Sequence, residues 1–403
     1  MMKQKVLFIV GTLQSGGVSK SLVNLLNSWD YHQYNTSVLL CSKKGDVFSK
    51  SIPKDIKIIY NPIIESAMGG LDTLPKIFQI SEAGLCCKIK LFCGVLIRLV
   101  LSRFSKSKAG LLISKMMPVL SCENYDLAVD YGGQQLLYYM VDKVNAKKKI
   151  SFFHSDYAKW DYYYKADKKY YSNVDQIFTV SDSCVASLRK YFPNYSEKIA
   201  LMENVSSPSF IYWQAKSRTD SDLYLLNDAH NNEKQIFLTL GHVWFNKGID
   251  LAIEAATLLK KRNFQFVWFF IGAIREKKWL DIIEERGLTH QMIFLGIKEN
   301  PYPFIQLADI YIHPSRFEGK SIALDEAKIL CKPIVVTDFS TVNDQFENRV
   351  NASICKMNKD DLADKIEELI NRPELRERYH DYLAKNVIDN HDEINKIYHF
   401  LEK

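Results

Sequence analysis

Two signals that would assign a protein's class early are absent from this sequence of 403 residues. No run reaches the roughly 18 to 20 consecutive apolar residues of a membrane-spanning helix, which argues against an integral membrane protein. The apolar run Lys3–Val10 is too short for a secretory signal, and it continues into Gly11 and Gly16-Gly17 instead of a small-residue cleavage site. We therefore predict a buried first β-strand in a protein that is soluble or peripheral to a membrane.

The cysteines lack the paired C-x-x-C spacing of a zinc or redox site. We expect them to be reduced, buried thiols of a cytosolic protein. They are Cys41, Cys86, Cys87, Cys93, Cys122, Cys184, Cys331 and Cys355.

Charge is distributed unevenly along the chain. Up to Ser207 there are 27 basic and 17 acidic residues, a net charge of +10, whereas the remainder has 26 basic and 30 acidic residues, a net charge of −4. The first half is therefore expected to face something anionic, and composition alone leaves phosphate-bearing lipid, a membrane surface and nucleic acid as candidates.

The order of apolar runs and helical patterns predicts two α/β halves in tandem. A β-loop-α unit opens the chain at Val6–Val10, and a second one begins at Ile236–Leu240, with further strand-like runs after each. A polar stretch separates the two halves, and amphipathic helices close the chain. The predicted regions are an N-terminal Rossmann-like α/β domain at 1–207, a linker region at 208–234, a C-terminal Rossmann-like α/β domain at 235–385, and a C-terminal helix at 386–403 that crosses back to the first domain.

Two glutamates stand eight positions apart where a predicted strand leads through a loop into a helix. With Glu318 in the loop and Glu326 two turns into a helix that begins near Ser321, both face the carboxyl edge of the sheet, where open α/β sheets bind ligands. The backbone amides between them belong to an unpaired first helical turn, which suits a diphosphate. Carboxylates accept hydrogen bonds from vicinal hydroxyls, so the pattern fits a nucleotide-sugar. The residues of this loop are Gly319, Lys320, Ser321 and Ile322.

At this point the sequence resembles glycosyltransferase family four, the retaining enzymes of bacterial polysaccharide synthesis. The family has an E-x7-E motif whose first glutamate belongs to the string "PSRFEG" and whose second glutamate begins "EA". Here the first string begins at Pro314 and contains Glu318, and the second is Glu326-Ala327. Other matching segments cover nearly the whole chain: the loop of Gly16 and Gly17, Phe152–Asp156, Thr179–Ser183, Gly241–Ile249 and Lys332–Asp338. The resemblance implies the GT-B fold, in which two Rossmann-like α/β domains face each other across a cleft. It also implies that the domain at 1–207 binds the acceptor and the domain at 235–385 binds the nucleotide-sugar.

The resemblance also implies residue roles. Glu318 would bind donor-sugar hydroxyls near the reacting carbon and Glu326 the nucleotide ribose, while Lys247 would bind phosphate. His154 would lie near the sugar, and the Gly16-Gly17 loop would approach the phosphates. Retention of configuration by front-face attack, with the leaving diphosphate drawing the acceptor proton, is likewise implied.

One position departs from the family pattern. Where arginine is usual before Lys247, this sequence has His242, next to Gly241. Histidine is only partly charged near neutral pH, so we hypothesise that Lys320 supplies the missing cation.

A metal is not expected at the diphosphate. The D-x-D-like sequence Asp220-Ser-Asp222 lies in the predicted linker, and metal independence is predicted. No cofactor is expected, since the UDP- or GDP-type sugar is a substrate.

The segment Cys86–Met117 has seven basic residues, no acidic ones and many large apolar side chains. This composition is typical of a membrane-surface helix. The alternative is a core helix whose basic residues reach solvent along their aliphatic stems.

Together these features predict a retaining hexosyltransferase whose acceptor is a glycan or a polyprenyl-diphosphate-linked glycan, in capsule, exopolysaccharide or O-antigen synthesis. We expect it in the cytoplasm, peripheral on the inner membrane leaflet, with no nucleic acid partner. Two alternatives stay open. A nucleotide-sugar 2-epimerase shares the architecture but needs no basic, apolar acceptor domain, and a catalytically inactive scaffold subunit is favoured by His242 but opposed by the intact set of Glu318, Glu326 and Lys247.

Overall fold

The computed structural model describes residues 3–120 and 123–402, and the chain divides into two compact units. The first unit comprises residues 1–205 and 392–403, and the second comprises residues 206–391. Each unit is built around its own parallel sheet.

In the described part of the first unit, the sheet has seven parallel strands. They are β1 (Gln4–Val10), β2 (Tyr34–Leu40), β3 (Lys57–Tyr60), β4 (Tyr125–Asp130), β5 (Ala146–Phe153), β6 (Gln176–Thr179) and β7 (Ile199–Leu201), in the order β3-β2-β1-β4-β5-β6-β7. The α-helices of this unit up to residue 205 are α1 (Gly17–Asn27), α2 (Pro62–Met68), α3 (Leu74–Ile77), α4 (Leu85–Phe104), α5 (Lys106–Met116), α6 (Gln135–Lys143), α7 (Tyr164–Tyr171) and α8 (Asp182–Tyr191).

The second unit repeats this plan over residues 206–391, all of which are described. Its six parallel strands are β8 (Gln235–Leu240), β9 (Phe266–Ile271), β10 (Met292–Phe294), β11 (Ile310–His313), β12 (Ile334–Thr337) and β13 (Ser353–Cys355), in the order β10-β9-β8-β11-β12-β13. Its α-helices are α9 (Pro208–Ala215), α10 (Leu223–Asn231), α11 (Ile249–Lys261), α12 (Lys278–Glu285), α13 (Tyr302–Leu307), α14 (Ile322–Ile329), α15 (Lys359–Asn371) and α16 (Pro373–Lys385).

Both faces of each sheet are covered, as the continuous apolar runs predict. In β1, Phe8 packs into one buried cluster, while its neighbours Leu7 and Ile9 pack into the cluster on the other side. In β8, Leu238 and Phe237 divide between opposite clusters in the same way. Burial of alternate side chains on both faces fixes the register of these central strands.

Strand order reverses beside the first strand of each sheet, between β1 and β4 and between β8 and β11. Loops that leave neighbouring strands at such a reversal diverge to opposite faces and open a crevice at the carboxyl edge. The loops after β8 and β11 therefore start side by side.

The segment predicted as a linker, 208–234, is largely helical. Ser207 accepts a hydrogen bond from the Phe210 amide and caps α9, whose first residue is Pro208. The apolar faces of α9 and α10 join the core of the second unit. Polar composition indicated a linker, yet the capping signal and the spaced apolar residues of these helices determine the structure.

The last helix, α17 (Asn395–Glu402), packs in the first unit. Ile397 and Leu401 are buried there, and the ring of Tyr398 lies 4.9 Å from that of Trp29 and 5.1 Å from that of Tyr34.

The expectation that all cysteines are buried is wrong. Cys41, Cys184 and Cys355 are buried and Cys331 is partly buried, but Cys86, Cys87 and Cys93 are exposed. The three exposed cysteines lie on α4, whose solvent-facing side also carries large apolar side chains. An apolar residue type therefore does not indicate burial on this helix. Cys122 lies outside the described residues.

Among the helices of residues 3–120 and 123–402, none combines the length and apolar character needed to cross a membrane.

Candidate functional site

The predicted site residues of the second unit lie on two neighbouring loops. One loop follows β8 and ends in a short 3-10 turn, Phe245–Lys247, before α11. The other follows β11 and leads through Glu318 into α14. Because β8 and β11 are hydrogen-bonded neighbours, the two loops emerge at the same edge of the sheet.

Lys247, Glu318 and His313 form a compact cluster at this edge. Lys247 Nζ lies 2.5 Å from Glu318 Oε1, and His313 Nε2 lies 2.9 Å from the same oxygen. Since a carboxylate only accepts hydrogen bonds, Nε2 of His313 carries a hydrogen and donates a hydrogen bond to Glu318. Both bonds fall on Oε1, and the described residues provide no hydrogen-bond partner for Oε2, which stays available to accept from a ligand hydroxyl.

The charges of this cluster are set by its burial and by mutual contact. Burial alone would raise the pKa of Glu318, but the charge of Lys247 and the hydrogen bond from His313 hold that pKa well below its ordinary value. Burial lowers the pKa of His313, and Glu318 only partly offsets this effect. At neutral pH the cluster therefore contains a carboxylate, an ammonium group and a neutral imidazole.

Arg316 fastens the two loops to each other. Its guanidinium donates to both carboxylate oxygens of Asp250 in the first turn of α11, at 2.8 and 2.7 Å. It also lies 3.9 Å from the centre of the Phe245 ring, and the Arg316 amide donates to the Asn246 carbonyl at 2.9 Å. A bidentate pair of this kind fixes direction as well as distance, so it sets the place from which Lys247 reaches Glu318.

Gly248 permits the close approach of the loops. Its backbone is left-handed, with φ of 69°, and a Cβ at this position would lie 1.8 Å from the carbonyl oxygen of Pro314. Any other residue would combine a disfavoured backbone with a clash against a backbone atom.

The first turn of α14 is only partly as predicted. The amide of Ser321 is not free, because it donates to Gln345 Oε1 at 3.0 Å. Gln345 also donates to the carbonyl of Ser321 and to Asp325 Oδ1, while Thr341 donates to the carbonyl of Glu318 at 3.0 Å. These bonds hold the loop of Gly319 and Lys320 and the first helical residue Ile322 in place.

Glu326 lies in the second turn of α14 and is 1% exposed. Tyr302 donates a hydrogen bond to its Oε1 at 3.0 Å. Burial and the neighbouring carboxylate raise the pKa of Tyr302 well above its ordinary value, so the phenol stays protonated as a donor.

The position of His242 shows a second basic residue that the sequence analysis missed. Nδ1 of His242 accepts the Ala273 amide at 3.2 Å, and Nε2 lies 3.5 Å from a guanidinium nitrogen of Arg275. Because Nδ1 is an acceptor here, this geometry favours the neutral imidazole. Gly241 precedes His242 and lies against the aliphatic stem of Lys247, as a Cβ there would be 3.6 Å from Lys247 Cδ.

Arg275 is a second candidate, beside Lys320, for the cation that replaces the family's arginine. Lys320 sits in the loop that leads into α14, whereas Arg275 is exposed beside His242. We expect Lys320→Met to lower turnover of a nucleotide-sugar about a hundredfold, the cost of losing one group that stabilises developing charge. Arg275→Met, assayed alongside by nucleoside diphosphate release, is expected to have the smaller effect. The reverse ranking would assign the cation to Arg275 and reject Lys320.

In the first unit, Gly16 and Gly17 lie at the start of α1, after β1. Both are exposed, and a Cβ at either position would meet no atom within 4 Å. Packing within the protein therefore does not require glycine at these positions, and the close approach of a ligand stays a prediction.

His154 follows β5, and its ring lies 4.7 Å from that of Tyr131 and 5.6 Å from that of Phe152. Burial lowers its pKa to about 4, although a hydrogen bond with the backbone of Tyr131 acts in the opposite direction. Its Nε2 is buried and has no hydrogen-bond partner among the described residues. His154 is therefore a neutral hydrogen-bonding group at neutral pH and not a cation.

The D-x-D-like residues Asp220 and Asp222 both bind Lys298 Nζ, at 2.9 and 2.7 Å. Their charges are thus engaged in an ion-pair network that holds the stretch between α9 and α10. In the described ranges 3–120 and 123–402, no group of three or more His, Cys, Asp or Glu residues is arranged to hold a metal ion.

Known proteins resemble both the sequence and the fold. Residues 227–386 match the family model of Glycosyl transferases group 1. Alpha-D-kanosaminyltransferase of Streptomyces kanamyceticus is 26% identical over 231 residues, which cover 55% of this chain and 56% of that protein. An enzyme of Campylobacter jejuni, N,N'-diacetylbacillosaminyl-diphospho-undecaprenol alpha-1,3-N-acetylgalactosaminyltransferase, is 28% identical over 205 residues, covering 50% of this chain and 46% of that protein. The chain thus spans about half the length of these curated relatives.

The fold likeness extends over the whole chain. The crystal structure of Anabaena HepE in complex with UDP and glucose matches with a TM-score of 0.72 at 14% identity, covering 99% of this chain and 100% of that chain. At this identity the likeness shows the fold, and it confirms the predicted GT-B class of two parallel-sheet α/β domains.

Proposed function

We propose that this protein is a retaining, metal-independent glycosyltransferase that moves a hexose from a UDP- or GDP-type sugar to a glycan acceptor. The observation that carries the proposal is the Lys247–Glu318–His313 cluster, built from two adjacent loops within the segment that matches Glycosyl transferases group 1. It presents a fixed carboxylate and a fixed cation at the edge where open α/β sheets bind ligands.

The cluster supplies what donor binding requires. Glu318 is held ionised by Lys247 and His313, and its second oxygen can accept hydrogen bonds from sugar hydroxyls. Lys247 brings a positive charge to the position where the diphosphate leaves, and stabilisation of that departing charge is the main physical task of the reaction. The ribose would be held by Glu326, whose Oε1 accepts a hydrogen bond from Tyr302.

In the proposed reaction, the acceptor oxygen forms its bond to the anomeric carbon on the face from which the diphosphate departs. The electron pair of the broken carbon–oxygen bond goes to the diphosphate, and a phosphate oxygen takes the acceptor proton. No side-chain base is needed, which agrees with the low pKa of Glu318, since a carboxylate held that acidic is a poor proton acceptor. The roles of Gly16, Gly17 and His154 toward the donor stay predictions.

The name of one relative supports a lipid-linked acceptor. The Campylobacter jejuni enzyme is named for a diphospho-undecaprenol substrate, and the HepE structure contains UDP and glucose. We extend the proposal accordingly to a polyprenyl-diphosphate-linked glycan, made for capsule, exopolysaccharide or O-antigen at the inner membrane leaflet.

Purified protein incubated with a panel of nucleotide-sugars in EDTA tests this proposal, with release of nucleoside diphosphate as the measurement and membrane extract as the source of acceptor. Wild type is expected to release diphosphate from one donor, and Glu318→Ala is not. Product configuration, read from the anomeric coupling constant, tests retention.

The same assay separates the alternatives. Absence of release from every donor, with both proteins folded, would favour an inactive scaffold subunit, for which His242 is the best support. Conversion of the donor sugar to its 2-epimer would instead identify the epimerase. Activity that EDTA abolishes and added metal restores would contradict metal independence.

A further inference from the structure

The longest helix of the first unit, α4, exposes a continuous apolar face. Six large apolar side chains on it are between 38% and 83% exposed: Leu85, Ile89, Leu96, Ile97, Val100 and Phe104. At about 100° per residue they fall within an arc of about 120°, together with the exposed Cys93. We call this arc the α4 stripe. A contiguous apolar surface of this kind on a soluble fold marks an interaction site.

The opposite side of α4 is anchored in the first unit, so the stripe is not an unpacked core face. Leu91 and Val95 are buried, and a Cβ on Gly94 would lie 2.2 Å from Met116 Sδ on α5. Arg98 donates from its guanidinium to the carbonyls of Met68 and Gly69 at the C-terminal end of α2. Arg98 is thus used inside the fold, and it holds the helix with its apolar face outward.

Basic residues border the stripe. Lys90 and Arg103 are exposed at its two edges, and Lys106 and Lys108 are exposed where α5 begins, next to Phe104. From Ala83 to Leu120 the chain has seven basic residues and no acidic residue. Of the two alternatives that the sequence left open for this segment, a core helix is therefore wrong, because its apolar side chains, and not only its charges, face outward.

We propose that the α4 stripe docks the protein on the surface of an anionic phospholipid bilayer, with α4 lying in the plane of the interface. A helix of 20 residues is about 30 Å long, and an apolar arc bordered by lysine and arginine buries its side chains at the acyl boundary while the cations contact lipid phosphates.

A second copy of this chain fits the surface less well. In a twofold dimer the same patch contacts itself. The four exposed basic residues at its border would then meet the same four of the second copy, with no acidic side chain between Ala83 and Leu120 to neutralise them. The charge favours an anionic partner, and the continuous apolar arc favours a fluid apolar phase.

Docking on a bilayer rests on the proposed function in one respect, since it would bring the protein to a lipid-linked acceptor. Vesicle binding tests the docking surface without donor or acceptor, so the two proposals can fail separately. The 403-residue chain would be sedimented with sucrose-loaded vesicles of phosphatidylcholine, with or without phosphatidylglycerol as the anionic lipid. We expect binding to the anionic vesicles that weakens as salt is raised.

Two variants separate the apolar and the charged contributions. Ile97→Glu with Val100→Glu is expected to weaken binding to anionic vesicles at least about tenfold. Lys90→Gln with Arg103→Gln is expected to reduce the preference for anionic lipid and the salt dependence. Tyr382→Glu is the matched control, since Tyr382 is an exposed apolar side chain on helix α16 of the second unit, and its binding should equal that of wild type. Melting temperatures check that all variants are folded.

Three results would overturn the proposal. Wild type that stays in the supernatant with anionic vesicles excludes docking, and equal binding by the Ile97/Val100 variant places the contact elsewhere. A wild-type dimer in light scattering that the same variant converts to monomer would show that the stripe joins two copies of the chain.

Discussion

Lys247→Met is expected to lower turnover of the nucleotide-sugar by about a hundredfold to a thousandfold, the range for loss of one fixed group that stabilises developing charge. Lys247 Nζ lies 2.5 Å from Glu318 Oε1, and this ammonium is the strongest influence that lowers the pKa of Glu318. The substitution therefore removes the cation proposed for the diphosphate and also leaves a buried carboxylate without its counter-charge.

The pH dependence of Lys247→Met follows from the same contact. Burial raises the pKa of Glu318 and Lys247 opposes it, so removal of Lys247 lets the pKa rise. If the reaction needs the ionised carboxylate, then on acidification the variant loses activity at a higher pH than wild type does. The rate of Lys247→Met should therefore fall as pH is lowered from neutrality, over a range where wild type is unchanged. Lys247 also lowers the pKa of His313, so the substitution lets that pKa rise as well, and Glu318 and His313 are expected to titrate as a coupled pair.

A double-mutant cycle with Glu318→Gln tests whether the two residues act together. The double variant is expected to be little worse than the poorer single variant, since groups that act as a unit have strongly non-additive effects. Lys385→Met, an exposed lysine in the last turn of α16, is the control for loss of one charge from the second unit. Lys247→Met with activity within threefold of wild type would show that this ion pair does not serve the donor.

Much of the fold can be predicted from the sequence because its central strands are continuous apolar runs that nothing else explains. β1 and β8 are each followed by a glycine-containing loop and an amphipathic helix. Because this β-loop-α unit occurs twice along the chain, the sequence implies two sheets. The edge strands β7 and β13 are not predicted, since three residues give no measurable periodicity. The helices within 208–234 are likewise missed, because the apolar run Leu223–Leu226 is short and has polar residues on both sides.

The site is predictable in its ligand-facing residues and not in the residues that hold them. Glu318 and Lys247 are found because they belong to segments that resemble a family. His313 stands within the same segment, but its bond to Glu318 depends on the bend of the loop between them. Arg316 and Asp250 are 66 positions apart, and Gln345 acts on Ser321 from 24 positions away. No local pattern encodes contacts at such separations.

The orientation of α4 is also not predictable from local sequence. Composition indicates a basic, apolar segment, but whether Ile97 and Val100 face the core or solvent depends on which face of α4 meets α5. The packing of Gly94 against Met116 decides that orientation.

Gly248→Ala is expected to reduce both the stability of the second unit and its activity, in different proportions. The left-handed backbone, with φ of 69°, costs an alanine about 1 to 2 kcal/mol. The added Cβ would also lie 1.8 Å from the Pro314 carbonyl oxygen and 2.7 Å from its carbon. A backbone atom cannot rotate aside as a side chain can, so the loop after β8 must move away from the loop after β11.

Movement of these loops separates Lys247 from Glu318, because Gly248 adjoins Lys247 and Pro314 lies four residues before Glu318. We expect the free energy of unfolding to fall by about 2 to 4 kcal/mol, near the upper end for single substitutions, and turnover to fall at least a hundredfold while the protein stays folded. Denaturant titration followed by tryptophan fluorescence, and diphosphate release at a temperature well below the transition, measure the two effects.

Gly287→Ala is the matched control for the backbone cost. Gly287 also has a left-handed backbone, with φ of 63°, but a Cβ there would meet only the flexible end of Lys260, at 3.5 Å. This variant should lose about 1 to 2 kcal/mol of stability and keep wild-type turnover. If Gly248→Ala behaved like Gly287→Ala in both measurements, the approach of Gly248 to Pro314 would not be what brings Lys247 to Glu318. A selective loss of turnover in Gly248→Ala would instead show that the contact between Lys247 and Glu318 depends on one glycine 70 residues before Glu318.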